Sequence, residues 1–342
     1  MENLLKRLVE APSISGSEKN VRDLIAKEIK PYVDEIKIDK IGNLICRKGK
    51  GSPKIMIAAH MDELGFMVKQ IDDKGFIKFE TIGGWDTRII PARKVKIYGS
   101  KGSVAGVIGS KAAHLQEKEE KEKPAKLKEM YIDVGASSRK DVDKLGISVG
   151  DFIIAHETME KLYGTKYTGH NFDDKIGCLA MIEIAKALKK TKGTIYFVGS
   201  VKEEIGLVGI RGSSFHVNPD IVIALDVGLA GDTPDIKGEA TTSLGEGPVL
   251  VVKDALSIIK EDTKKWVMDV AKKNKIPIQM DVTSSGATDA AVVPMIREGI
   301  PSVAILSSSR YTHTPVEVVD MKDVKNMIKL IIELVKSAHR YL

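Results

Sequence analysis

Apolar residues recur along the chain at two spacings, and the switches between them mark its organisation. Near the amino terminus the spacing is helical: residues 2–9 and about 17–30 read as helices. The second carries Val21, Leu24, Ile25 and Ile29 on one face and is preceded by a capping box at Ser15-Gly16-Ser17-Glu18. Short alternating segments follow at 36–38 and 43–47. Then comes an unbroken apolar run, Ile55-Met56-Ile57-Ala58-Ala59, as a strand buried on both faces requires. From about 64 to 162 the chain changes to short strands with Gly-rich turns. FMVKQI and FIKFETI flank DDKG as one hairpin, KVKIY and SVAGVIG flank GSKG as another, and MYIDV and GDFIIAHE come later. From Tyr163 onward helices and strands alternate. Helices are expected at 177–189, about 256–273, 288–298 and 322–341, and strands at 194–198, 221–225, PIQMDV and 302–306.

Alternation of this kind predicts an α/β fold with a doubly wound, mostly parallel sheet. The β-rich stretch predicts an inserted barrel or sandwich. The expected division is therefore a discontinuous α/β domain, 1–63 and 163–342, around a β domain, 64–162. Within the insert the run QEKEEKEKPAKLK, 116–128, reads as a mobile surface loop.

Composition narrows the function classes. The 342 residues are 43% hydrophobic and 29% charged, as in an ordinary globular chain. No stretch approaches the roughly 18 consecutive apolar residues of a membrane span, and the acid at position 2 argues against a signal peptide. The net charge of +6 comes from 53 basic and 47 acidic residues that are interleaved, with only 5% aromatics, which argues against nucleic acid as a partner. Cys46 and Cys178 match no disulfide framework or zinc-finger spacing and suggest a reducing, cytoplasmic location. There is no Gly-x-Ser-x-Gly elbow and no Walker loop, and Cys178 lies on an apolar helix face. No covalent nucleophile is therefore expected.

The candidate chemistry lies where apolar strands stop. The first ends in His60-Met61-Asp62, whose two polar side chains point the same way and could form a pair. Asp173 and Asp174 precede the helix at 177. Strand 194–198 runs into Glu203 and Glu204, strand 221–225 ends at Asp226, and strand 302–306 is followed by Arg310-Tyr311-Thr312-His313. Taken singly, each has an ordinary structural explanation: a core histidine, a helix cap, a solvated turn. In a doubly wound sheet, however, the carboxyl ends of the strands share one edge, so these groups should converge. Histidines and carboxylates without a cysteine cluster suit zinc, cobalt or manganese. The donors exceed one tetrahedral set, so a second ion is expected, in the arrangement that hydrolyses amides or phosphoesters. The remaining histidines, His114, His156, His170, His216 and His339, are expected at the surface, in packing or at interfaces, with His170 also a candidate partner of a metal ligand.

AAHMDELGFMV, GGWDTRIIPARKV, IDVGASSR, NFDDKIG, KEEIGLVG, ALDV, TSSGATDA and RYTHTPVE, in this order, resemble the M42 metallo-aminopeptidases, the tetrahedral or TET peptidases with glutamyl, leucyl and lysyl aminopeptidase members. The resemblance implies a dinuclear-metal aminopeptidase that removes amino-terminal residues from short peptides by attack of a metal-bridging water. It implies two divalent ions per subunit (zinc or cobalt, with manganese a further candidate). Asp173 would bridge them across a cis peptide to Asp174, His60 and Asp226 would complete one site, and Glu204 and His313 the other. Glu203 matches the general base and Asp62 the acid that orients His60. The inserted domain matches the family's dimerisation domain, with dimers assembling into a cytosolic dodecamer. The chain departs at Ala112-Ala113, where many relatives have Pro-Pro, and at Phe172-Asp173-Asp174-Lys175, where Leu-Asp-Asp-Arg is common. The run Thr283–Asp289 matches the specificity pocket, and its lack of an unpaired base favours a neutral or small amino-terminal residue. A deacylase or dipeptidase of the same clan is the alternative enzyme, and a metal-stabilised scaffold the non-enzyme one.

Overall fold

The chain opens with helices α1 (Glu2–Val9) and α2 (Lys19–Ile29) and strands β1 (Glu35–Ile38), β2 (Leu44–Lys50) and β3 (Lys54–His60). Six strands follow: β4 (Gly65–Ile71), β5 (Ile77–Ile82), β6 (Lys94–Gly99), β7 (Gly102–Ile108), β8 (Ile132–Asp133) and β9 (Phe152–Ala155), with α3 (Arg139–Leu145) before the last. After β10 (Glu160–Lys161) and β11 (Lys166–Gly169) come α4 (Phe172–Ala187), β12 (Gly193–Ser200), α5 (Val208–Val217), β13 (Ile221–Leu229) and β14 (Val249–Lys253). The chain closes with α6 (Glu261–Lys273), β15 (Gln279–Val282), β16 (Ser302–Arg310), β17 (Glu317–Asp320) and α7 (Met321–Ser337). This computed structural model describes every residue except 119–122, 156, 157, 235, 237 and 239.

Two compact units result, one of residues 1–62, 159–312 and 316–342, the other of 63–158 and 313–315. In the first, an eleven-stranded sheet runs β1-β2-β12-β3-β13-β16-β17-β11-β10, with β14 on β16 and β15 on β14. The parallel pairs are confined to β12–β3–β13–β16 at the centre and to β14–β15, while the flanks are antiparallel. The sheet is thus mixed, with the parallel core flanked on both sides by antiparallel strands. Both faces of β3 are dry: Ile55, Ile57 and Ala59 join the α4 and α7 side of the core, Met56 and Ala58 the opposite layer with Val198, Ile210 and Val222. Ile57 has no exposed surface. Ile57→Ala is expected to cost about 2–5 kcal/mol, read as a lower urea midpoint at unchanged slope.

The second unit is a closed antiparallel barrel, β4-β5-β8-β7-β6-β9, which leaves no free edge among its strands. Phe66 packs edge-on against Phe79 with ring centroids 5.1 Å apart and stacks on Trp85 at 4.6 Å. Trp85 Nε1 donates to Gly65 O at 3.1 Å.

Several expected elements change. The capping box before α2 does not form: Glu18 occupies the cap position without a side-chain cap bond, its carboxylate being held elsewhere. The helix expected at 288–298 is two short 3-10 turns, Asp289–Ala291 and Val293–Met295, since Pro294 cannot continue a helix. The helix expected from 256 begins at Glu261, because the Asp254 carboxylate folds residues 254–257 into a turn through Leu256 N (2.8 Å) and Ser257 N (2.6 Å). Strands β13 and β16 run past the expected ends at 225 and 306, pairing as far as Leu229↔Ser309. Helices α3 and α5 and strands β10, β11, β14 and β17 are not among the expected elements. Of the 116–128 loop, residues 119–122 lie outside the described residues, as does His156; Leu127–Glu129 is a 3-10 turn.

Candidate metal centre

Strand register sets the site. In the first unit β12 pairs with β3 so that Ser200 stands beside His60. The β13–β3 ladder ends at Ala224↔Ala58, so His60 and Asp226 are each two residues further along and face the same side of the sheet. The third contributor is the start of α4. There Asn171 is left-handed (φ 52°), the Asp173–Asp174 peptide is cis, and neither aspartate has helical torsions. The amide of Asp173 donates to Glu317 Oε2 at 3.1 Å, tying this corner to the buried strand β17.

The groups that meet are close. His60 Nε2 lies 2.8 Å from Asp173 Oδ1 and 3.8 Å from Asp226 Oδ1. Two sets, His60, Asp174 and Asp226, and His60, Asp173 and Glu204, each present donor atoms within 4.8 Å of one another. His60 Nδ1 faces the Asp62 carbonyl at 3.2 Å, with the Asp62 carboxylate 3.6 Å away. That carboxylate is occupied chiefly by others: Glu203 N at 3.0 Å on Oδ1, and Glu204 N at 3.2 Å and Ser15 Oγ at 2.6 Å on Oδ2. Asp62 therefore fastens the Glu203–Glu204 turn as well as standing behind His60. Cys178 Sγ donates to His60 O at 3.2 Å, and the fully buried Lys175 Nζ to Met61 O at 2.7 Å, so the His60–Asp62 segment is held from behind.

The electrostatics point to cations. Burial, and then the neighbouring carboxylates, push Asp174, Asp226 and Glu203 well above the ordinary carboxylate range. Burial alone would pull His60 down, but Glu203, Asp173, Asp62 and Asp226 raise it well above its usual value. Burial would raise Asp62 too, yet His60, Ser15 and the Glu203 amide hold it low. Buried Asp289, bonded by the Ser200 hydroxyl, is lifted by burial to about 6. Among the described residues, Asp174 Oδ2 is buried without a hydrogen-bond partner. An orphaned carboxylate oxygen among crowded acids fits a bound divalent ion, which would relieve the repulsion and take up the free lone pair. The donors are oxygen and imidazole nitrogen, a set that suits zinc, cobalt or manganese.

A family model described as M42 glutamyl aminopeptidase matches residues 42–330. The chain belongs to the M42 peptidase family. It is similar to the lysyl aminopeptidase of Pyrococcus furiosus, 38% identical over 96% of this chain and 94% of that one. Of solved structures, the TET aminopeptidase from Thaumarchaeota archaeon SCGC AB-539-E09 is 36% identical with a TM-score of 0.96, covering 100% of this chain and 98% of the other. The Pyrococcus horikoshii TET1 peptidase, which can assemble into a tetrahedron or a large octahedral shell, is 33% identical with a TM-score of 0.89 and 98% coverage of both chains.

For this M42 chain, the first unit brings together His60, Asp62, Asp173, Glu203, Glu204 and Asp226 from the residues read at strand ends. His313 belongs to the second unit, where its Nδ1 lies 3.1 Å from Gly84 O. Asp174 was not picked as a donor, yet its carboxylate lies with His60 and Asp226. Ser15, Lys175 and Glu317 are not among the expected site residues, and Asp289 is expected only as part of the specificity run. Of the presumed specificity run, residues 284–286 are exposed, whereas Thr288 and Asp289 are buried. Cys46 and Cys178 are free and buried, and burial drives both thiols up to about 12, as expected of core residues without a nucleophilic role.

Proposed function

We propose that the chain is an aminopeptidase that removes amino-terminal residues from short peptides using two divalent metal ions per subunit. The observation that carries the reading is the convergence on His60 of two donor sets, the buried Asp174 and Asp226 and the half-buried Asp173 and Glu204, beside Glu203. His60, Asp173 and Asp226 would hold one ion. Glu204 would share Asp173 in holding the other, together with His313, whose part rests on the Arg310–Pro315 motif. Bound there, the metals would supply Lewis-acid activation of water and polarisation of the scissile carbonyl.

The protein's own groups do the rest. Glu203, whose affinity for a proton is raised by burial and its acidic neighbours, accepts the proton of the attacking water and delivers it to the leaving amine. Asp62 fixes the Glu203–Glu204 backbone and backs His60. The free α-amine of a peptide would bind beside one of the ions and an acylated amine would not, which would account for exopeptidase action. The reading extends to a cytoplasmic homo-oligomer, a dodecamer built from dimers that form through the barrel. Among the described residues no helix is long and apolar enough to cross a membrane.

The test is a panel of alanyl, leucyl, lysyl and glutamyl p-nitroanilides, run with zinc, cobalt and manganese beside a dipeptide and an N-acetyl amino acid. Cleavage of the anilides, best with a neutral side chain and absent for the N-acetyl compound, is the expected result. Preference for the N-acetyl substrate would transfer the site to deacylation, and no turnover of any substrate would remove the enzyme reading.

A further inference from the structure

Helix α2 forms without a side-chain cap although Ser15, Ser17 and Glu18 stand directly before it. The polar side chains that would ordinarily cap it serve other partners. Ser15 Oγ donates to Asp62 Oδ2 at 2.6 Å. Glu18 Oε1 accepts from Gly16 N at 2.7 Å and from Lys202 N at 3.2 Å. Lys202 is left-handed, with φ 58°. Its amide and the next two, Glu203 N and Glu204 N, therefore all donate to carboxylates, the first to Glu18 and the others to Asp62. Consecutive N–H groups in such a turn form a concavity for an anion, and here the protein fills it with its own two acids. The preceding amide, Val201 N, is held by Asn43 Oδ1 at 3.0 Å. Ser15, Glu18 and Asp62 are 5%, 6% and 0% exposed, so water cannot replace a lost bond.

We propose that Ser15 and Glu18 are positioning residues: the segment Ser13–Glu18 is a strap that fixes the backbone of the Glu203–Glu204 turn. This support comes from outside the family-matched span, residues 42–330. In its effect on turnover the inference rests on the aminopeptidase reading. The strap determines where the Glu203 carboxylate points, and small displacements of a catalytic group are expensive in rate.

The experiment uses the full chain with Ser15→Ala, Glu18→Ala and Glu18→Gln. Steady-state kinetics on the best-cleaved anilide are combined with amide hydrogen exchange of the peptide covering 201–207. Ser15→Ala and Glu18→Ala are expected to lower kcat about 10–100-fold, as losing a supporting hydrogen bond at a metal site does. KM should stay within about twofold, and exchange across 201–207 should accelerate. Glu18→Gln keeps an oxygen that accepts the same N–H bonds and should recover most of kcat and protection. Wild-type kcat together with wild-type exchange in Ser15→Ala and Glu18→Ala would overturn the strap, as would a Glu18→Gln variant no better than Glu18→Ala. If Glu18→Ala fails to fold, Ser15→Ala, which deletes one hydroxyl, decides. If the wild-type protein cleaves no anilide, the aminopeptidase reading fails while the exchange measurement still decides the strap.

Discussion

Glu203→Gln is expected to lower kcat for aminoacyl anilides by about 10²–10⁴-fold, the range general-base catalysis contributes, with kcat/KM falling equally and KM nearly unchanged. The amide has the shape of the carboxyl group and cannot take a proton from water. The two backbone bonds that set the turn, Glu203 N and Glu204 N to Asp62, do not involve the side chain and should survive. The substitution also removes one acid from a crowd in which burial, Asp226, Asp289 and Glu204 all disfavour its charge. The variant should thus fold at least as stably as the wild type and retain its metal, measured by plasma mass spectrometry of the purified protein. Substantial turnover with full metal content would take the base role away from Glu203. Loss of metal with loss of activity would instead make it a ligand.

Stripping the metal with a chelator is expected to abolish hydrolysis and to lower the melting temperature, with both restored by zinc, cobalt or manganese. Metal at about 100 times its dissociation constant stabilises by about 2.7 kcal/mol per site. In a chain of this size each kcal/mol shifts the midpoint by about 1–2 °C. The stripped protein should also acquire a pH dependence whose sign follows from the site. Asp174, Asp226 and Glu203 have folded values raised above their unfolded ones, so the folded state binds more protons than the unfolded state between the two. Stability is then greatest near the ordinary carboxylate range and falls as pH rises through the raised values. Asp289 contributes in the same direction up to about 6. His60, also raised, adds stability at low pH that is lost on going alkaline. Asp62, held low, works the other way and matters only in acid. A melting temperature that falls from pH 5 to pH 8 in the stripped protein, and much less after reloading, is the expected result. A flat profile in both forms would mean that the acids are not held together by cations.

Much of this site was legible because strand termination is a local signal. An apolar run that stops at His60 or Asp226 shows both the strand and the place where its chemistry begins, since parallel strands in one sheet end along one edge. Glu203 and Glu204 were found in the same way, as acids just past β12. What escaped was everything that depends on how the chain turns after a strand. Ser15-Gly16-Ser17-Glu18 has the composition of a helix cap, and no local rule separates that use from bonding to residues nearly 50 and more than 180 positions away. Asp174 reads as a helix-cap partner, and the backbone torsions at the start of α4 turn its carboxylate toward His60 instead. Pro294 is a helix breaker inside the span expected as a helix, and the chain forms two 3-10 turns around it.

By itself the sequence determined the alternation of α/β and β-rich segments, the strands of the central sheet, and the kinds of donor at their ends, since hydrophobic spacing and abrupt polar stops are written residue by residue. Tertiary structure alone decided that parallel pairing is confined to the centre of the sheet and to β14–β15, and that the barrel closes. It also decided that Asp62 clamps a turn besides backing His60, and that the amino-terminal segment reaches that turn. The reason lies in register and handedness. Which amide meets which carboxylate depends on the offset between β3, β12 and β13 and on the left-handed backbone at Lys202, and both emerge only when distant segments pack together.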